Sequence, residues 1–324
     1  MNGCVEKEIL FEKRGCRFLI RMEESADPAV YGKFEKLRYD IWGDPDDHLA
    51  GGRNLACENY LDKGGSLFIS VLKEEEGAFD GPDALVGFSY GFVGVVDKAA
   101  GYRSPGNFRF YSQYTAVKKE FQGYGLGIAI KEFQRDVVLN LFGIETITCT
   151  FDPLVSVNAY RNIRTFGMTV QEYKVACYAN YTGYLNRLDI DCDRFFMLWD
   201  LRKPYPPSGT EGSLIGPQAV HTEFQSIRGK DGPITLPVVR GTDLEMEGDT
   251  LSVEIPCDFY SMLQQTDVEK KEVRRIPADW RNAARDVFLH YLAKGWAVTD
   301  FIRDRSGDTL RCYYILKPEA YFLR

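Results

Sequence analysis

Histidine is scarce in this chain, three residues in 324, and none of its eight cysteines form a Cys-x-x-Cys pair. His48, His221 and His290 are scattered, as are the cysteines at 4, 16, 57, 149, 177, 192, 257 and 312. Without thiolates and imidazoles at ligand spacing, no zinc site is expected and no metal is assigned. No apolar run approaches the length of a membrane span, and the opening MNGCVEKEIL lacks a signal-peptide layout, so a membrane is not an expected partner. A basic block is also absent. The net charge is −7, which argues against nucleic acid as the main partner and leaves a local basic cradle open. Cys149 and Cys177 stand in apolar strand patterns and read as buried free thiols, so a reducing cytoplasm is the expected compartment.

What is present is enough chain for two cores, and one stretch that organises the first. Phe108 to Ala116 alternates apolar and polar residues, rich in aromatics, as a half-buried strand does. A charged link, Lys118-Lys119-Glu120, leads into Gln122-Gly-Tyr-Gly125-Leu-Gly127 and then a run with helical spacing. A strand, a glycine loop and a helix in that order form an anion cradle. The glycines let backbone approach a ligand, and the unpaired N–H groups of the first helical turn point at it. The expected guest is a pyrophosphate.

Spacing selects among nucleotides. No lysine follows Gly127 as a P-loop requires, and Ile128 stands where a dinucleotide fold has its third glycine. A nicotinamide oxidoreductase is therefore a distant reading, and a glycine turn with no ligand is the bland one.

The remaining elements follow in order. Arg17–Met22 reads as the first strand. Asp27 caps a helix to Ile41, with Val30, Phe34, Leu37 and Ile41 on one face. Leu55–Leu61 reads as a short helix, and Ser66–Leu72 and Ala84–Val96 as strands. Gly87 and Gly91 within the second of these suggest a bulge or close backbone approach. After Gly127 a helix carries Ile130, Phe133, Val137 and Leu141 as one buried stripe, ended by Gly143. Then come a strand at 145–151, a helix with Ser156 and Asn158 as candidate caps, Gly167 as its stop, and strands at 168–179 and 194–201.

Gln-x-x-Gly-x-Gly directly after a strand ending in Ala-Val, together with this element order, resembles the GNAT superfamily of acyl-CoA N-acyltransferases over roughly the first 200 residues. Ala159 and Gly167 stand at the separation of that superfamily's second motif, with Met168 for its final Phe. TFDP, VNAYRNIRTFG and the later LNR, DR and W pattern look similar to a little-characterised GNAT family with an added C-terminal domain. The resemblance implies an α/β (α+β) fold with a mixed, mostly antiparallel sheet flanked by helices. It implies acetyl-CoA or another acyl-CoA as cosubstrate. It places Ala116 and Val117 against the pantetheine arm, beside a strand bulge, and Gln122, Gly123, Tyr124, Gly125, Leu126 and Gly127 against the pyrophosphate. Ser156 stands where the second motif has its Asn, and Asn158, two residues on, is taken as the cofactor-side residue. Ile163 replaces the usual proton-donating Tyr, and Ser112-Gln113 stands where relatives often have Ser-His.

Acyl transfer needs a neutral amine, a donor for the oxyanion and an acid for the departing thiolate. Tyr160, three residues before Ile163, is the nearest replacement hydroxyl by helical spacing, with a rim aromatic as the alternative. Gln113 shares a strand face with Tyr111, and Ser112 takes the other. Tyr111, Tyr178 and Trp42 are the candidate acceptor contacts, although most of the 19 tyrosines must be structural. Glu120 reads as a solvated loop residue.

Residues 1–203 are assigned to the acyltransferase domain, 204–217 to a proline- and glycine-rich linker, and 218–324 to a smaller α+β domain. In that last part a strand at 250–255, a short helix near 256–264, an amphipathic helix at 277–292 and two strands are expected. Its suggested roles are covering the acceptor cleft or forming a homodimer contact. The reading from sequence is an N-acyltransferase acting on a small-molecule amine such as an amino acid. Acetyl is the default group, with succinyl or longer groups open. The alternative is a catalytically silent CoA-binding sensor or interaction module.

Overall fold

The structure, a computed structural model, describes residues 6–44, 49, 51–61, 65–178, 183–206, 215–305, 307 and 309–319. Its contacts divide the chain into two compact units, Met1–Cys149 with Asp200–Lys203, and Thr150–Trp199 with Pro204–Arg324. This partition does not follow the boundary drawn from composition. It assigns the segment after Cys149 to the same unit as the C-terminal part. Most of the proline-rich linker lies outside the described residues.

The first unit is built on a sheet in the order β1 (Glu8–Lys13), β2 (Cys16–Met22), β3 (Ser66–Lys73), β4 (Leu85–Val95), β5 (Phe108–Val117) and β6 (Thr146–Phe151). Neighbours run antiparallel except β5 and β6, which are parallel. The sheet is thus mixed and mostly antiparallel, as the resemblance implies. Strand β1 was not foreseen. It forms a hairpin with β2 through Arg14 and Gly15, both at positive φ (52° and 73°).

Helix α1 (Pro28–Trp42) begins where Asp27 accepts the Ala29 N–H, with Pro28 in the first turn, and ends at Gly43 in the left-handed region. Tyr31, Phe34 and Leu37 go to the core, where they meet Phe68 and Phe88. Val30 and Ile41 pack at its margin. Helix α2 (Gly52–Ala56) runs into a π turn, Cys57–Leu61.

Helix α3 (Leu126–Asp136) buries Ile130 and Phe133 and continues into a π turn, Val137–Leu141. Val137 is buried, but Leu141 is 45% exposed. The single-stripe expectation fails at this last position because a π turn has more residues than an α turn and rotates later side chains off the stripe.

In the second unit, α4 (Ser156–Ala159) passes into another π turn, Tyr160–Thr165, closed by Gly167 at φ 65°. Neither Ser156 nor Asn158 caps it. Val155 is the N-cap residue, and the Ser156 hydroxyl instead donates to the Cys257 carbonyl at 2.6 Å. Strands β7 (Thr169–Lys174) and β8 (Arg194–Asp200) pair antiparallel. A hairpin missed from sequence, β9 (Val220–Gly229) with β10 (Gly232–Thr242), follows. Strand β9 is largely exposed, and β10 carries Pro233 and Pro237, residues that argue against a strand.

A second sheet sets β13 (Arg311–Pro318) between β11 (Leu251–Ile255) and β12 (Trp296–Asp304), with α5 (Phe259–Gln265), α6 (Lys271–Arg274) and α7 (Ile276–Ala293) in the intervening chain. Trp280, Ala284, Val287, Phe288 and Tyr291 of α7 are all buried, as their spacing requires. Phe288 meets Phe195 at 4.8 Å and Tyr314 at 5.2 Å between ring centroids. Each such fully buried aromatic contributes roughly 1.5–3 kcal/mol.

Candidate functional site

The site begins with a misfit between two strands. Along β4 and β5 the partners run Tyr90 with Tyr114, then Gly91 with Ser112. Gln113 is therefore an extra residue on β5, a bulge, and its side chain is exposed. Gly91 faces the bulge because nothing larger fits. A Cβ there would lie 2.4 Å from the Tyr111 carbonyl oxygen and 2.5 Å from the Phe110 ring.

On its other edge β5 pairs with β6 at Phe110–Ile147 and Tyr111–Thr148. Among the described pairs, none lies beyond Tyr111. The segment from Ser112 to Val117 thus leaves the β6 edge, and backbone groups near Ala116 and Val117 face away from β4 without a strand partner there. Ala116 is buried and Val117 half-buried.

The loop follows at once. Phe121 and Gln122 donate back to the Lys118 and Lys119 carbonyls at 3.0 and 3.2 Å, and the Gln122 side-chain amide reaches the Val117 carbonyl at 3.5 Å. Gly123 and Gly125 take φ of 82° and 83°. Gly125 is the N-cap of α3, and its carbonyl accepts the N–H groups of Ile128 and Ala129. Among the described hydrogen bonds, the N–H groups of Gly123, Tyr124, Gly125, Leu126 and Gly127 have no acceptor. Successive amides at left-handed glycines, ending at the positive pole of an eleven-residue helix, are what an oxyanion-rich pyrophosphate needs.

The β1–β2 hairpin brings a second layer to this loop. Phe18 meets Phe121 and Tyr124 at 6.0 and 5.8 Å between centroids. The Arg14 guanidinium carbon lies 5.4 Å from the Tyr124 ring centre, and the Lys73 ammonium 5.7 Å from that of Phe121. These two cations beside the loop were not found from sequence, since they reach it only through strand pairing. Glu120 is exposed, as expected of a solvated residue.

Aromatics crowd the bulge. Trp42 meets Tyr114 edge-on at 5.4 Å, and Tyr111 meets Phe92 at 5.6 Å. Burial, with a lesser contribution from the charge on Glu58, pushes the Tyr90 phenol up to about 12. Partial desolvation raises the Glu58 carboxyl above its ordinary range. Sequence offered no reason to single out Glu58. Its interaction with Tyr90 joins the π turn after α2 to the strand facing the bulge.

Asn158, Tyr160 and Tyr178 belong to the second unit. The Asn158 side-chain oxygen accepts from Arg161 at 2.9 Å. The Tyr178 hydroxyl shares a 2.9 Å hydrogen bond with Thr150, and the Arg194 guanidinium lies over its ring at 5.4 Å. Tyr160 is 37% exposed, whereas Ile163 is 4% exposed. Their expected common helix face is lost because the π turn starting at Tyr160 places residues three apart on different sides. The Arg303 guanidinium covers the Tyr160 ring at 4.5 Å.

No family model matches the chain, and no curated protein matches it. Among solved structures it is similar to NAA60 of Arabidopsis thaliana in complex with a bisubstrate analogue, at 12% identity and TM-score 0.42, over 56% of this chain and 98% of that one. It is similar to ribosomal-protein-S5-alanine acetyltransferase of Vibrio fischeri at 13% identity and TM-score 0.41, over 60% of this chain and 100% of that one. A GNAT-family acetyltransferase of Streptococcus pneumoniae gives 12% identity and TM-score 0.41, over 56% and 97%.

Proposed function

We propose that this chain transfers an acyl group, by default acetyl, from acyl-CoA to the amine of a small molecule. The observation carrying this is the bulge at Gln113 on β5, followed directly by the left-handed glycine loop into α3. A bulged strand that leaves its parallel neighbour exposes backbone donors and acceptors of β5, which suit the amides of a pantetheine arm. The loop amides suit the pyrophosphate, with Arg14 and Lys73 as counter-charges for further phosphate. An N–H at the end of the pantetheine track would meet the thioester carbonyl and favour the oxyanion as the amine attacks.

The amine must lose its proton to attack. Glu58 is our candidate base, directly or through water, because it stands in the π turn after α2 near Tyr90 on the strand facing the bulge, and partial burial raises its carboxyl. Gln113 is our candidate for orienting the acceptor, with Trp42 and Tyr111 as its aromatic walls. Tyr160 is the proposed hydroxyl for the thiolate, and Tyr178 a proposed acceptor contact. The silent CoA-binding module is the second reading, favoured by Ile163 at the usual donor position and by Arg303 covering Tyr160.

Isothermal titration with CoA, and thiol release from acetyl-CoA and succinyl-CoA against a panel of amino acids and other amines, test both readings. Binding with amine-dependent thiol release is the expected outcome. Binding without release under any amine supports the silent module, and no CoA binding overturns both.

A further inference from the structure

Behind the bulge lies a chain of buried polar side chains that an apolar helix–sheet interface does not need. Lys131 of α3 is 3% exposed, Gln134 0%, Ser112 4% and Ser89 0%. The Lys131 ammonium donates to the Ser112 hydroxyl at 2.6 Å and to the Gln134 side-chain oxygen at 3.0 Å. The Gln134 amide donates to the Ser89 hydroxyl at 3.0 Å. Ser89 donates to the Tyr114 carbonyl at 2.9 Å and stands 3.2 Å from the Thr115 hydroxyl, which completes its bonding capacity.

The ends of this chain matter. Ser112 and Tyr114 are the two residues flanking Gln113. One network from α3 therefore holds β5 immediately before and after its extra residue. We propose that Lys131 is a positioning residue whose buried ammonium, through Ser112 and Gln134, locks the β5 bulge at Gln113.

Two physical arguments support the assignment. Burying an ammonium is strongly unfavourable, and an aliphatic residue would fill the same volume beside Ile130 and Phe133 without that penalty. A bulge is also a register choice. Without a lock, the extra residue can migrate along β5, and each one-residue slip sends side chains to the opposite face. Fixing it at 113 keeps Ser112 inward and Gln113 outward. Because α3 also carries the glycine loop at its N-terminus, one helix then sets the distance between the anion cradle and the bulge.

The inference rests on the acyl-transfer reading for its kinetic consequence, but not for its structural one. Lys131→Met retains the stem and removes the charge, and Ser112→Ala removes only the acceptor. Hydrogen exchange of the free protein, followed at Gln113–Thr115, is the first measurement. Both variants should exchange there at least about tenfold faster than wild type while β3 amides keep their protection. The double variant should be no faster than the single ones, since the two groups act as one link.

In the active protein, kcat should fall about tenfold or more, with CoA affinity within about threefold of wild type. Ser112→Ala decides the matter if Lys131→Met does not fold. Unchanged exchange at Gln113–Thr115 overturns the lock, and so does a uniform rise across the whole sheet. If wild type binds no CoA, the acyl-transfer reading falls while the exchange result still judges the lock.

Discussion

Gly125 is the residue on which the proposed anion cradle turns. At φ 83° it occupies a region that costs a β-branched residue about 1–2 kcal/mol, while a Cβ there would meet only Phe11 at an ordinary 3.7 Å. Gly125→Val should therefore bend the loop away from its left-handed path rather than unfold the sheet. We expect CoA affinity to drop at least about tenfold in calorimetry, with a fall in Tm of only a few degrees. An unchanged affinity would remove CoA from this loop. Tyr160 carries a second residue-scale prediction. Tyr160→Phe keeps the ring beneath Arg303 and removes the hydroxyl, so stability should hold. If the hydroxyl protonates the thiolate, kcat falls by up to about 100-fold with KM for acyl-CoA little altered. A kcat within twofold of wild type makes it a rim aromatic.

Among the elements, α7 is tied to the chain around β6 and β8 by buried ion pairs within the second unit. Arg281 donates to both Asp152 carboxylate oxygens at 2.8 and 2.5 Å, and Arg285 donates to Asp193 at 2.8 Å. Burial pushes the Asp152 carboxyl up, but the charge and hydrogen bonds of Arg281 outweigh it and hold it below its ordinary 3.8. Its folded value is thus depressed, so the contribution of the pair is complete at neutral pH. That contribution is lost as pH falls below 3.8 and through the folded value. Arg281→Ala leaves a buried carboxylate with Arg194 at 3.5 Å as its remaining described cation, and should cost about 3 kcal/mol in urea unfolding at pH 7. The gap from wild type should shrink in acid. A gap that is the same at about pH 3 and pH 7 would contradict the assignment of the lost stability to this pair.

For the whole molecule, the consequence concerns what can be cut. The Asp152–Arg281 and Asp193–Arg285 pairs link residues before 203 to residues after 218, as do Arg164 with Asp300 at 2.8 Å and the Tyr314 hydroxyl with the Pro153 carbonyl at 2.7 Å. The composition of 204–217 still marks it as the place for a protease to act. We predict that limited proteolysis cleaves there, that the two fragments co-elute under native conditions, and that residues 1–203 expressed alone do not fold cooperatively. A cooperative, monodisperse 1–203 fragment would restore the boundary drawn from composition.

The sequence by itself determined the elements whose signal is local. Alternation set β5, Asp27 opened α1, and glycine spacing located the loop before α3 and the close approach at Gly91. It also determined α7, because its apolar residues repeat at helical spacing over 18 residues. Only the tertiary structure decided the rest. The π turns at Val137–Leu141 and Tyr160–Thr165 arise from how helix ends accommodate their surroundings, and no local propensity announces them. They moved Leu141 to the surface and turned Tyr160 from the face of Ile163. The cations Arg14 and Lys73 reach the loop through strand pairing across the sheet, and the links joining Lys131 to Ser112 and Ser89 are contacts between α3 and two strands. Such contacts close over tens of residues, and a linear pattern records the residue types but not the pairing that brings them together.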